Sequence, residues 1–144
     1  MQLTIMLLLM GATFSMFTGC KKDHDCDDVI ITETFISKTL NKDGTVTFTG
    51  TFTANGGLKT SGTDVMNTRL TPDSSFCIVL LTAPNGTFTT HQNCSRPNMT
   101  GHWDIVSGTG RYKFFHGSGP LVMKFPPHVP AGVLLIEKET GEIW

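Results

Sequence analysis

From Thr45 to Ala54 the chain alternates without a break, with Val46, Phe48, Gly50, Phe52 and Ala54 on one face and Thr45, Thr47, Thr49, Thr51 and Thr53 on the other. Successive side chains of a strand point to opposite faces, so this pattern predicts a strand with one wall in an apolar core and one in water. Gly50, in the middle of the inner face, predicts a bend or a close approach of the wall. The segment 29–38 alternates less cleanly, with Val29, Ile31, Glu33 and Phe35 on one face and Ile30, Thr32, Thr34 and Ile36 on the other, which makes both faces partly apolar. Asn41-Lys42-Asp43-Gly44 turns the chain between these two strands. Asn55-Gly56-Gly57 makes a hairpin turn into a third, less regular strand from Leu58 to about Arg69, which Gly62 is expected to bulge or bend.

The same punctuation continues to the C-terminus. Thr71-Pro72-Asp73-Ser74 is a turn, 76–83 a strand, Asn85-Gly86 a two-residue hairpin loop and 87–94 the returning strand. From Gly101 a strand places Trp103 and Ile105 on one face and His102, Asp104 and Val106 on the other. It breaks at Gly108 and Gly110 in a tight corner, and Arg111 to His116 has room for about one helical turn before Gly117 and Gly119 reopen an extended path into 121–125. Pro126-Pro127-His128-Val129-Pro130 is a connection, 132–138 the last long strand, and Glu139-Thr140-Gly141-Glu142 a turn toward a short end at Ile143 and Trp144. The count is about eight strands. Strand, plug and return strand suit one end of a closed wall, so the expected fold is an all-β antiparallel barrel of about eight strands over 29–144.

The hairpin register also predicts a disulfide. With Asn85-Gly86 as the loop, Pro84 faces Thr87 and, counting outward, Cys77 faces Cys94 at a non-hydrogen-bonded pair, close enough for a bridge. Cys26 is then left unpaired.

Composition narrows the class further. Ten Phe and fifteen Gly with few charges favour strands and turns over helices, and 11 basic against 12 acidic residues give no electrostatic reason to expect nucleic acid. Residues 1–19 carry no charged side chain and suit a secretory signal. The stretch Phe17-Thr18-Gly19-Cys20 resembles a bacterial lipobox, which implies a lipoprotein signal peptide over 1–19, lipidation at Cys20 and anchoring in a lipid bilayer through that residue. Residues 20–28, with Lys21-Lys22-Asp23-His24-Asp25-Cys26-Asp27-Asp28, read as a solvated charged tether, since their spacing lacks the paired ligands of structural zinc. Cys-Lys-Lys-Asp is also similar to the start of many lipoproteins of the Bacteroidetes. That resemblance implies an outer-membrane location, periplasmic or surface-exposed.

Candidate chemistry is sparse. Glu33 shares its face with Ile31 and Phe35, and a carboxylate in an apolar lumen has a raised pKa, the condition for a general acid or base or for anchoring a polar ligand group. The alternative is an edge-strand glutamate in solvent. Phe48, Phe52, Phe88, Trp103 and Tyr112 supply aromatic walls for a small apolar ligand or simply fill the barrel. His91, His102, His116 and His128 show no ligand spacing, so no metal is expected. The loop Ser107-Gly108-Thr109-Gly110 lacks the following helix of a phosphate cradle and reads as a structural corner, so no cofactor is expected either.

The stretch Gly101-x-Trp103-x-Ile105-Val106-Ser107-Gly108-Thr109-Gly110-x-Tyr112, followed after four residues by Gly117-x-Gly119, resembles the signature region of small bacterial proteins related to the allene oxide cyclase and dirigent type of barrel. The plant cyclases act on an unstable fatty-acid epoxide, and dirigent proteins steer phenolic radical coupling. The resemblance implies the barrel and names no active-site residue. Two functions remain open: an envelope barrel that binds a small apolar ligand or serves as a structural or interaction module, and an isomerase or cyclase using a lumenal acid such as Glu33. Neither the ligand nor the oligomeric state is legible in the chain.

Overall fold

The computed structural model describes residues 26–144; the expected signal, Cys20 and most of the charged tether lie outside them. Eight strands follow one another: β1 (Asp27–Leu40), β2 (Val46–Gly56), β3 (Thr60–Leu70), β4 (Ser74–Ala83), β5 (Gly86–Ser95), β6 (Thr100–Gly108), β7 (Gly117–Lys124) and β8 (Leu135–Ile143). Each pairs antiparallel with its neighbour in sequence, and β8 pairs with β1 to close the barrel. The all-β expectation holds. Asp27 and Asp28, expected in the tether, already belong to β1, opposite Ile143 and Glu142.

Strand alternation builds the lumen. In β1 the buried positions are Val29, Ile31, Glu33 and Phe35, and in β2 Phe52 and Ala54 are buried while the intervening threonines are exposed. Two register shifts lodge extra residues, one at Ile36 of β1 between Phe35 and Ser37, the other at Val106 of β6 opposite Thr89 and Thr90. Bulges of this kind increase local twist and help a sheet curl shut.

Gly62 does not bulge, since β3 pairs in continuous register with both neighbours. A Cβ there would lie 1.9 Å from the Thr82 carbonyl oxygen and 3.0 Å from the Phe52 ring, so the glycine serves close approach within a regular strand.

One end of the barrel is plugged. After β6 a single 3-10 turn, Gly110–Tyr112, drops Tyr112 into the core, where its ring lies 5.3 Å from Phe88 and 5.4 Å from Phe115 and its hydroxyl donates to Thr60 Oγ1 at 3.2 Å. Phe88 continues the stack to Phe52 at 5.7 Å, edge to face. The corner at Gly108 and Gly110 is as expected: Gly110 has φ +56, and Arg111 N–H and Thr109 N–H donate to Asn85 O and Thr87 O across to the β4–β5 turn. Gly117 and Gly119, the expected return from that corner into an extended path, are strand residues of β7. Gly119 stands opposite Trp103, whose indole N–H donates to Thr140 O at 3.0 Å.

The β4–β5 hairpin differs from expectation by one residue, with consequences for both thiols. Ala83 pairs with Gly86, so the loop is Pro84-Asn85. Proline presets φ for the first central position of a turn, which draws the turn one residue earlier than Asn85-Gly86 alone would place it. In this register Cys77 faces Gln92 and Cys94 faces Ser75. The cysteines are diagonal neighbours on one face, a separation of about 7–8 Å that a disulfide does not span. Both are buried free thiols, and the expected Cys77–Cys94 bridge is absent. Cys26, expected unpaired, is disulfide-bonded.

A further correction is at the C-terminus. Residues 139–142 do not turn; β8 runs through them, with Leu135, Glu137, Glu139 and Ile143 on its buried face.

Candidate functional site

Four carboxylates share the lumen. Glu33 on β1 stands directly opposite Glu137 on β8, and Glu139 follows two residues on along the same face. Asp64 reaches them from β3 because its partner on β2 is Gly50. A Cβ at Gly50 would lie 2.9 Å from Asp64 Oδ1 and 2.1 Å from the Thr34 carbonyl oxygen, so the glycine makes room for the acid as well as for the wall. From β5, Gln92 extends its amide to Glu139 Oε1 at 2.8 Å. All five side chains are at most 1% exposed.

This layer has an excess of acceptors. Both oxygens of Glu33, Asp64 and Glu137, Glu139 Oε2 and Gln92 Oε1 have no hydrogen-bond partner. Among the described residues no lysine, arginine or histidine is buried with them. Taking a carboxylate out of water without a counter-charge disfavours its ionised form. Burial therefore pushes Asp64 up to about 7 and Glu139 up to about 8, the latter in spite of the Gln92 amide, which favours the charged form. Glu33 is held well above the usual carboxylate range, first by burial and then by repulsion from Glu139, Glu137 and Asp64. Glu137 is raised in the same way, by burial and then by Glu139 and Asp64. Near neutral pH the layer is thus largely a set of neutral carboxylic acids, able to donate hydrogen bonds or a proton.

Opposite the plugged end, the barrel opens into a pocket of ≈ 240 Å³. Its apolar walls are Phe48, Met66, Leu70, Met99, Met123, Phe125 and Leu135; Thr68, Ser75, Cys77 and Arg96 supply the polar groups. Arg96 sits at the rim, tied by Nη1 to the Thr71 carbonyl at 2.7 Å. The acid layer lies just beneath: Met123 is the cross-strand partner of Glu137, Leu135 precedes it on the same face, and Glu137 is near enough to influence both Cys77 and Cys94. Burial pushes the Cys77 thiol up to about 12, so it is protonated, and it donates to Thr68 Oγ1 at 3.1 Å. Burial raises Cys94 as well.

Glu33 is in the lumen, as its face suggested, and solvent does not reach it. Of the aromatic residues expected around a ligand, Phe48 alone is in the pocket wall. Phe52, Phe88 and Tyr112 pack into the plug and Trp103 is fully buried in the core, because they lie toward the closed end or the middle of the barrel. Sequence reasoning missed Asp64, Gln92, Glu137 and Glu139. The signal for the last two was present, since they continue the parity of Leu135 and Ile143. Among the described residues no group of three His, Cys, Asp or Glu is placed to hold a metal ion. Compared with known proteins, the chain matches no family model and no curated sequence.

Proposed function

We propose that this chain is a small-molecule-binding β-barrel which takes the apolar body of its ligand into the open mouth. The observation that carries this reading is the contrast between the two ends. One is sealed by Tyr112 and its aromatic stack, and the other leaves ≈ 240 Å³ enclosed by seven apolar side chains with only Thr68, Ser75, Cys77 and Arg96 as polar partners. Ligand pockets combine these features, a mainly apolar concavity and a few polar groups that fix orientation. Leu70, at the rim and 48% exposed, offers a test that leaves the core alone. Leu70→Trp is expected to abolish the fluorescence enhancement of Nile red, a neutral apolar dye, at an unchanged melting temperature. Equal enhancement with both proteins, or none with the wild type, defeats the reading.

A second reading, an isomerase or cyclase, is supported by one feature, the neutral acids beneath the pocket. Of these Glu137 adjoins the pocket wall through its cross-strand partner Met123. In that mechanism a neutral carboxylic acid donates its proton to a ligand oxygen as charge develops there, and a neighbouring carboxylate recovers it from the product.

A further inference from the structure

The chain has seven methionines, and the three among the described residues, Met66, Met99 and Met123, all line the mouth pocket. They come from separate parts of the fold: β3, the β5–β6 connection and β7. Cys77 joins them from β4. It pairs with Thr68, two residues from Met66 on the same face, and Cys94 flanks it on β5.

Met99 is the singular member. Among the described residues it alone of the non-glycines has left-handed backbone, φ 52, and it is fixed there by its N–H donating to Ser95 O and its carbonyl accepting from Met123 N–H, both at 2.8 Å. A non-glycine residue persists in that conformation only where surrounding structure imposes it, and such positions concentrate at ligand clamps. Here the hydrogen bonds tie the backbone of one pocket methionine to that of another.

Thioethers and thiolates are soft donors and select soft, d10 monovalent cations. The pocket wall has neither histidine nor carboxylate, so hard and borderline divalent ions find no ligands in it. Below it lies the acid layer, with no lysine, arginine or histidine buried among the described residues to oppose a bound cation, and Met123 of the pocket wall is the cross-strand partner of Glu137. The one opposing charge, Arg96, is held at the rim by Thr71 O. We propose that Met66, Met99, Met123 and Cys77 form a binding site for a single soft monovalent cation of the Cu(I) or Ag(I) class. On binding, the Cys77 S–H bond breaks, a sulfur–metal bond forms and the proton leaves to solvent; no oxidation state changes. The Thr68 hydroxyl, which now accepts from the thiol, can rotate to donate to the thiolate. The thioethers bind without losing a proton. This inference shares a pocket with the apolar ligand proposed above and does not depend on it.

The test uses the full chain with methyl-13C methionine, titrated with silver nitrate in chloride-free buffer. The methyl resonances of Met66, Met99 and Met123 are expected to shift together and saturate at one Ag(I), and zinc is expected to leave them unmoved. The double variant Met66→Leu, Met123→Leu conserves apolar volume, so it should still enhance Nile red fluorescence while its Ag(I) affinity falls by roughly 10- to 100-fold. Cys77→Ser should weaken Ag(I) binding and abolish the proton release. Silver binding elsewhere on the chain leaves the three methyl resonances unmoved, and that result overturns the proposal. So does an unaltered silver affinity in a folded double-leucine variant. A failure of the dye reading alone shows instead as a wild type that binds silver and no Nile red.

Discussion

Replacing Glu139 with glutamine changes how the barrel responds to pH. The substitution keeps the shape and the acceptor for the Gln92 amide while removing the titration. In the folded protein burial raises Glu139 from 4.5 to about 8, so between those values the native state holds a proton that the unfolded chain has released. Stability then falls as pH rises: the contribution is fully present below about pH 4.5 and is lost by the time pH passes about 8. At about 1.4 kcal/mol per pH unit, a shift of that size places an upper limit of roughly 4–5 kcal/mol on the loss from this one group. Glu139→Gln should therefore match the wild type at pH 4 and exceed it at pH 9 by a few kcal/mol, approaching that limit. The gain is reinforced because Glu139 also raises Glu33 and Glu137. Urea unfolding at pH 4, 6, 8 and 9 measures the difference. A wild type whose stability is flat or increasing between pH 5 and 9, or a variant curve parallel to it, refutes the account of unpaired lumenal acids.

One further outcome follows from the fold. Gly110 and Gly44 both have left-handed backbone, but an added Cβ would lie 2.3 Å from the Asn85 carbonyl oxygen at Gly110 and in open space at Gly44. Gly110→Ala should thus cost about 1–3 kcal/mol more than Gly44→Ala, and equal melting temperatures for the two would show that the corner tolerates a side chain.

The barrel was legible wherever one face of a strand is apolar and the other is not. β2 is the clearest case, and the inward face of β1, Glu33 included, followed from parity alone. The other members of the acid layer were passed over, because they interrupt the apolar signal used to find strands. In β3 the adjacent Val65 and Met66 point to opposite sides, so no alternation indicates which face Asp64 shares. In β8 the sequence Glu137-Lys138-Glu139-Thr140-Gly141-Glu142 is as polar as a turn, and pairing with β1 and β7 overrides that composition. The hairpin register turned on a competition between two turn signals, Pro84 and Asn85-Gly86, that overlap by a single residue. The pocket could not be read locally, since its methionines converge only when β3, β7 and the β5–β6 connection meet at one mouth.

The seam between β1 and β8 has a kinetic consequence. It joins the first and last strands of the barrel, so it is the contact of greatest sequence separation and the one whose loop-closure entropy is largest. While the chain is being synthesised, β1 has no partner on that side until β8 has emerged. The residues facing across this seam include Glu33 and Glu137, so forming it desolvates two acids. Acidic solution thus lowers the cost of joining the seam, and alkaline solution favours an opened sheet with two unsatisfied edges, the form most exposed to pairing with another chain.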